Sequence, residues 1–339
     1  MAINFKSKGI NKTIIIALLL GVVSLTVALF YALTRPICDE DIYLYIDEDD
    51  THDSLYVKLN ELNNQENTSL KCLTTCFSFN LPTGCYRLSK QETVIDTYLK
   101  LKRGRQTPVK LVVPTGWTVN KIVSQISHQM MIDSARLMDY LNDSSVLSFL
   151  ECTKETLPAR FIPNTYEVWW NLSDVRLVRR IYREYKDFWN SDRRQKAEAL
   201  GLTLDEVSTL ASIVSRETND KEDMSIIAGL YYNRLNKGML LQSCPTVIFA
   251  RKDFSLTRLK DPTTPDSPYN TYLYLGLPPG PICIPPIKAI DAVLNMKQHN
   301  YIYMCAKEDF SGKHNFSASY KEHQRHARNY QRAYNKRFK

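Results

Sequence analysis

Thr203–Thr218 reads TLDEVSTLASIVSRET, and the spacing of its residues decides both how this part of the chain folds and where chemistry is sought. Thr203 followed three residues later by Glu206 is a capping-box pattern, so a helix starts here. Val207, Leu210 and Val214 recur at spacings of three and four, which puts them on one stripe that must meet a core. Glu217 lies seven residues after Leu210 and three after Val214, so it continues that stripe while Ser215 and Arg216 rotate away. A carboxyl among apolar neighbours has its pKa raised by desolvation, the state a general acid needs near neutral pH. The competing reading is structural: the helix frays and leaves Glu217 solvated, or an Arg pairs with it.

Downstream, Ile226–Leu235 has helical apolar spacing, and the chain then turns into polar loops. Leu241–Val247 (LQSCPTV), Ser267–Tyr272 (SPYNTY) and Leu277–Ile282 (LPPGPI) combine amides, hydroxyls and phenols with rigid turns. Sugars offer hydroxyls and apolar ring faces, and such loops can meet both. Turn chemistry alone explains any one of them; three close together point to a site. Upstream lie an extended, Pro-broken segment at Phe161–Tyr166 and a helix at Leu177–Trp189 whose aromatic and basic mixture fits a packed helix with one solvated face. Ser134–Phe149 reads as one amphipathic helix.

The N-terminal half begins with Ile14–Leu33, twenty residues without a charge, enough to cross about 30 Å of hydrocarbon as a helix. The following Thr34-Arg35-Pro36-Ile37-Cys38 suits neither signal-peptidase cleavage nor a lipidated cysteine, so a retained span is expected. Lys6, Lys8 and Lys12 precede it and predict a cytoplasmic N-terminus, with the bulk beyond the inner membrane on the extracytoplasmic side. Beyond the span, Ile42–Ile46 and Cys85–Leu88 read as strands and Ser54–Leu62 and Thr93–Leu101 as helices. A second copy comes next, strand Val109–Val113 and helix Val119–Met130. Two strand–helix units of this kind resemble LysM-like glycan-binding modules, and an ordinary α+β connector is the alternative.

At 339 residues, 44% hydrophobic and 24% charged, the chain is globular and long enough for two or three domains. Residues 1–12 and 313–339 carry +3 and +7 of the net +8, so the remainder is at −2 and no nucleic-acid groove is indicated. Eight cysteines in an oxidising compartment are compatible with one or more disulfides whose pairing the sequence leaves open, Cys244–Cys283 being one candidate, while Cys283 and Cys305 read first as plain buried thiols. His323-x-x-His326 on a basic C-terminal helix lacks a placed acid, so neither metal nor cofactor is expected.

Ile162–Tyr166, Leu210–Thr218, Tyr232–Val247, Ser267–Ile282 and Gly312–His323 together resemble the ordered motifs of the YceG-like family of endolytic murein transglycosylases, over about residues 40–330. The resemblance implies an α+β chain with a single N-terminal transmembrane helix, a LysM-like α+β region and a mixed α/β catalytic domain. The divisions expected are 1–12 cytoplasmic, 13–34 membrane, 38–150 LysM-like and 151–339 catalytic. It implies a lytic transglycosylase (a lyase) that cuts the MurNAc–GlcNAc β-1,4 bond inside peptidoglycan strands, leaves 1,6-anhydro-MurNAc ends and so terminates strand elongation. Its partners would be glycan strands and penicillin-binding synthases. Glu217 matches the family's acid; Thr165, Tyr166, Gln242, Thr246, Tyr269, Asn270, Thr271 and His314 are the implied substrate-binding positions. Ser215 stands where many members carry a second Glu, and Asn164 and Cys244 stand where the family has Asp. The departures at Asn164 and Cys244 keep a catalytically silent peptidoglycan-binding scaffold open as a second reading, and a hydrolytic glycosidase is a third.

Overall fold

The computed structural model describes residues 12–63, 67–255 and 261–338; Lys6 and Lys8 lie outside the described residues. The chain divides into two compact units, residues 1–109 with 167–171, and residues 110–166 with 172–339.

In the first unit α1 (Lys12–Thr34) contains an 18-residue window of mean hydropathy 2.7, and none of the helix is buried. At 23 residues it is about 34 Å long, so it can cross a membrane. Then come β1 (Ile42–Ile46), α2 (His52–Asn63), α3 (Thr68–Cys76), β2 (Gly84–Leu88) and α4 (Val94–Lys102). β1 and β2 pair antiparallel, with Ile42 opposite Leu88 and Ile46 opposite Gly84. Alternation sends Leu44 and Ile46 inward, where they meet Leu55, Leu59, Leu70 and Leu101. The end of α1 is fastened to the start of α4, because Ile37 N donates to Glu92 O at 2.9 Å and Val94 N to Arg35 O at 3.2 Å.

The second unit contains β3 (Val109–Val113, beginning at the unit boundary), α5 (Val119–Gln129), α6 (Ser134–Asn142), α7 (Ser144–Phe149), β4 (Asn164–Val168, whose last two residues are counted with the first unit), α8 (Asp174–Phe188) and α9 (Ser191–Ala199). It continues with α10 (Leu204–Glu217), α11 (Lys221–Asn236), α12 (Cys244–Arg251), α13 (Ile287–Leu294), the antiparallel hairpin β5 (Tyr303–Ala306) and β6 (His314–Ser317), and α14 (Tyr320–Phe338). β3 pairs with β4, whereas β2 pairs with β1, so the two strand–helix units read from the sequence do not pack as equivalent copies. The helix expected over 134–149 is two, because Asp143 is extended and its carboxylate accepts from Ser145 N at 2.8 Å to start α7.

The capping box forms as read: Glu206 N donates to Thr203 Oγ1 at 3.2 Å and Thr203 N to Glu206 Oε2 at 2.7 Å. The apolar stripe understates the burial of the helix. Every residue from Val207 to Val214 is buried, polar ones included, since α10 runs through the core with α11 and α13 packed on it. Ser208 and Thr209 survive there by bonding back to the carbonyls of Leu204 (2.9 Å) and Asp205 (2.7 Å). Ser212 Oγ accepts Ile282 N at 3.0 Å and so pins the proline-rich loop to the helix. That loop approaches residue 155 so closely that a Cβ on Gly280 would lie 1.9 Å from Glu155 O, which explains the glycine.

Candidate active site

α10 ends at Glu217, which is half-buried three residues beyond the enclosed run Val207–Val214. Its Oε1 accepts two hydroxyls, Tyr231 Oη at 2.8 Å and Ser243 Oγ at 2.6 Å. Among the described residues no donor reaches Oε2 and no Lys, Arg or His pairs with the carboxylate, so of the two structural readings the Arg pair does not form. Tyr231 sits on α11 one turn before Arg234, fully enclosed; burial first and the nearby Glu217 charge second push its phenol well above its ordinary pKa. It therefore stays a donor.

Ser243 is held just as firmly. Its N–H donates to Thr271 Oγ1 at 3.0 Å, its carbonyl accepts Thr246 Oγ1 at 2.8 Å, and the two threonine hydroxyls meet at 2.9 Å. Thr246, Asn270 and Thr271 are 0%, 0% and 1% exposed. Asn270 spends its amide on Pro262 O and Pro265 O, both at 3.0 Å. Buried polar groups of this kind are structural unless they are freed, and here each is satisfied internally. Gln242, by contrast, is exposed at φ 54°, with its N–H on Thr271 O at 3.0 Å. Arg234 fixes the same turn by donating to Leu240 O (3.0 Å), Leu241 O (2.9 Å) and Gln242 Oε1 (3.3 Å), and burial lowers its pKa.

Tyr231, Arg234, Gln242, Tyr272, Tyr303, Tyr320 and His323 are among the residues lining a cavity of about 320 Å³ beside this cluster. Tyr272 has its phenol pKa raised, by burial first and then by the adjoining Cys244 thiol and Glu217. Burial lowers that of His323, aided by Arg234 and His326.

The remaining expected site residues lie elsewhere. Tyr166 is 6% exposed with its hydroxyl on Ile162 O, while Thr165 is exposed on β4. Tyr269 packs on Phe249, centroids 4.8 Å apart, and burial pushes its phenol up to about 12. His314 is bound to Asp223, whose Oδ2 meets its Nδ1 at 3.0 Å and its backbone N at 2.9 Å. The disulfide expectation is corrected: all eight cysteines are free. Cys244 is exposed with Sγ 3.3 Å from Tyr272 Oη, whereas Cys283 is buried against Ser212 O at 3.8 Å.

Residues 44–329 match the model of the YceG-like family. The chain belongs to that family. Two YceG-like relatives from Streptococcus pneumoniae, strains D39 and R6, both bearing the name endolytic murein transglycosylase, are 28% identical over 278 residues, 73% of this chain and 50% of theirs. The chain thus spans about half the length of the pneumococcal relatives it matches. A Bacillus subtilis protein of the same name is 26% identical over 261 residues, 71% of this chain and 70% of its own. The crystal structure of a putative YceG-like protein from Listeria monocytogenes shares the fold, with TM-score 0.58 and 24% identity over 84% of this chain and 98% of that one. The YceG-like resemblance carried by the motifs is therefore established. Tyr231 and Ser243, which bond Glu217, and Arg234 and Tyr272, which line the cavity with Tyr231, are not among the implied site residues, although Arg234, Ser243 and Tyr272 lie inside the motif stretches. The signal available for Tyr231 is its position, fourteen residues after Glu217 on an adjoining helix.

Proposed function

We propose that this chain is a membrane-anchored endolytic lytic transglycosylase, with Glu217 as its single acid and base. One observation carries the reading: the hydrogen-bonded cluster beside the cavity contains, among the described residues, one carboxylate, held at Oε1 by two neutral hydroxyls and open at Oε2. A glycosidase ordinarily needs two carboxylates. The lytic reaction needs one, because the muramic acid's own C6 hydroxyl is the nucleophile. Glu217 gives its proton to the bridging oxygen as the C1–O4 bond breaks. As carboxylate it then takes the C6 hydroxyl proton as the C1–O6 bond closes the anhydro ring. Hydroxyls suit this cycle, since they donate to the carboxylate and can rotate to accept from the acid. The tethered nucleophile supplies effective concentration.

In this reading the cavity holds a sugar: Gln242 offers an amide, and Tyr272, Tyr303, Tyr320 and His323 offer ring faces. Thr246, Asn270 and Thr271 act by fixing Ser243 and Gln242, and His314 by fixing β6 on Asp223. Thr165 is retained as a contact farther along the strand. α1 anchors the chain with the basic N-terminus in the cytoplasm, and the β1–α2–α3–β2 order is the part of the first unit to which a LysM-like role is assigned. Synthases that make the strand are the proposed partners. Mass spectrometry of muropeptides released from peptidoglycan by the full chain tests the chemistry. Anhydro ends are expected; reducing ends would make it a hydrolase, and no release would leave the scaffold reading.

A further inference from the structure

The mechanism leaves unused the strongest charge feature of the described surface. Lys321, Arg325, Arg328, Arg332 and Lys336 succeed one another along α14 at spacings of four, three, four and four, and all are exposed. At 100° per residue they fall within one narrow stripe, about 22 Å long at 1.5 Å per residue. Among the described residues the acid paired with this stripe is Glu322, at 3.3 Å from Arg325. His323, His326, Tyr330 and Tyr334 occupy the opposite side and are half-buried. Tyr303 stacks on His323 at 5.3 Å and Phe310 meets Tyr330 at 5.8 Å. The helix is therefore fixed by its aromatic side and turns a row of cations outward.

The row starts where the sugar cavity ends. Tyr320 and His323 line the cavity, and Lys321 and Arg325 are the next residues of the same helix on its outer side. We infer that this cationic row is an extended binding surface for the carboxylates of the stem peptides on a glycan strand whose sugar occupies the cavity beside Glu217. The inference rests on the proposed glycan-cleaving function and adds what part of the polymer is recognised. A bilayer surface fits less well, because a helix lying in lipid buries its apolar side there, and here that side is turned into the protein. Rows of like charge raise the local concentration of opposite charge by 10- to about 10³-fold, and salt erases this as the Debye length falls from about 10 Å at 0.1 M to about 3 Å at 1 M.

The test is sedimentation of the full chain, in neutral detergent and carrying Glu217→Gln so that strands stay intact, with peptidoglycan that keeps its stem peptides or has been stripped of them by an amidase and had the lactyl carboxylates thus freed capped as methylamides. Intact polymer should bind about tenfold more tightly than stripped polymer at 0.1 M salt, and equally at 1 M. Replacing all five residues of the row (K321Q, R325Q, R328Q, R332Q, K336Q) should bring intact polymer down to the stripped level. R325K with R328K and R332K keeps the charge and should restore the preference, which separates a charge effect from misfolding. Equal binding to the two polymers, or a preference that survives the five glutamines, overturns the inference. So does protection of Lys321 and Lys336 from amine labelling in phosphatidylglycerol nanodiscs without peptidoglycan, which would assign the row to lipid. Binding here is read without cleavage. A chain that releases no anhydro product yet prefers intact polymer refutes the chemistry and leaves the row's role standing.

Discussion

The two ends of α10 carry acids that are treated in opposite ways. At the start, Glu206 closes the capping box and Asp205 binds Arg160, which is 2% exposed, donates further to Leu150 O at 2.7 Å and lies 4.5 Å over the Tyr185 ring. At the finish, Glu217 meets only the hydroxyls of Tyr231 and Ser243 among the described residues. An acid matched to a buried cation is committed to the fold, since its proton state cannot change without leaving that cation uncompensated. An acid held by neutral donors, with one oxygen open, can change state at modest cost. This contrast, more than burial, separates the catalytic candidate from its neighbours on the helix.

The sharpest break of the comparison is to disable each acid in turn. Glu217→Gln keeps shape and hydrogen bonding but cannot carry the proton, so release of anhydro products should fall at least about 10²-fold, with folding retained. Glu222→Gln is the control, an exposed acid paired with Lys297 at 2.9 Å, and should keep full activity. A near-normal rate for Glu217→Gln with loss in Glu222→Gln would show the acid to be misassigned. Asp205→Asn should do the reverse. It strands the Arg160 charge and should cost about 3 kcal/mol in denaturant unfolding, at the low end for a buried pair because Asp205 is 28% exposed, while the folded enzyme keeps its kcat. Equal loss of kcat in both variants would erase the distinction.

The first end is legible in the sequence and the second only in outline, for a physical reason. Thr203 and Glu206 act on each other across three residues, and β1, β3 and the start of α5 can be placed to the residue because alternation and turn chemistry are local. The division of 134–149 at Asp143 is equally local, an Asp-Ser-Ser start that an unbroken apolar pattern obscures. α12 has the sequence of a loop if Pro245 counts as a breaker, although proline near a helix start is favoured. Glu217 itself stands out by spacing and motif. Its partners do not, because Tyr231 and Ser243 reach it from fourteen and twenty-six residues away through the packing of α10 on α11. Nor does the sequence say that the Thr246 and Thr271 hydroxyls are 2.9 Å apart and enclosed, the observation behind the supporting role proposed for them.

Removing those partners sharpens the contrast at a smaller scale. Tyr231→Phe and Ser243→Ala each delete one donor to Oε1, and a hydrogen bond to a charged group contributes about 1.5–3 kcal/mol. Each should lower kcat about tenfold or somewhat more, with KM little changed because neither hydroxyl is assigned to the sugar. A rise in KM with unchanged kcat would make them substrate contacts. Cys244→Asp comes next. The residue opens α12, where an acid gains about 0.3–1 kcal/mol from the helix N-terminus, and a carboxylate can accept the Tyr272 hydroxyl now facing the thiol. Activity equal or higher is expected, as for Asn164→Asp, whose oxygen would still accept Thr165 N, now at 2.8 Å. A tenfold loss would give the thiol a role of its own, and fewer than eight reactive thiols in the denatured, unreduced protein would contradict the free cysteines.

The smallest expected effect is a pH dependence confined to the Glu217 side of the molecule. His323 has its pKa lowered below 6.5 by burial, with Arg234 and His326 adding repulsion, and its Nδ1 is enclosed without a partner among the described residues. An opened α14 would restore the ordinary value, so below about 6.5 the open state binds more protons than the closed one. Stability of this region is therefore full above that pH and declines as pH falls from about 6.5 through the lower, folded-state pKa. Among the described residues no histidine bonds to the start of α10, whose Asp205 and Glu206 meet Arg160 and Thr203. Amide exchange at pH 5.5 against 7.5, corrected for intrinsic rates, should accelerate along α14 and the β5–β6 hairpin and stay constant at residues 204–210. His323→Gln should remove the acceleration while leaving exchange at pH 7.5 near that of the unmodified chain. Uniform acceleration across both regions, or persistence in His323→Gln, would place the titration elsewhere and deprive the two ends of α10 of their electrostatic difference.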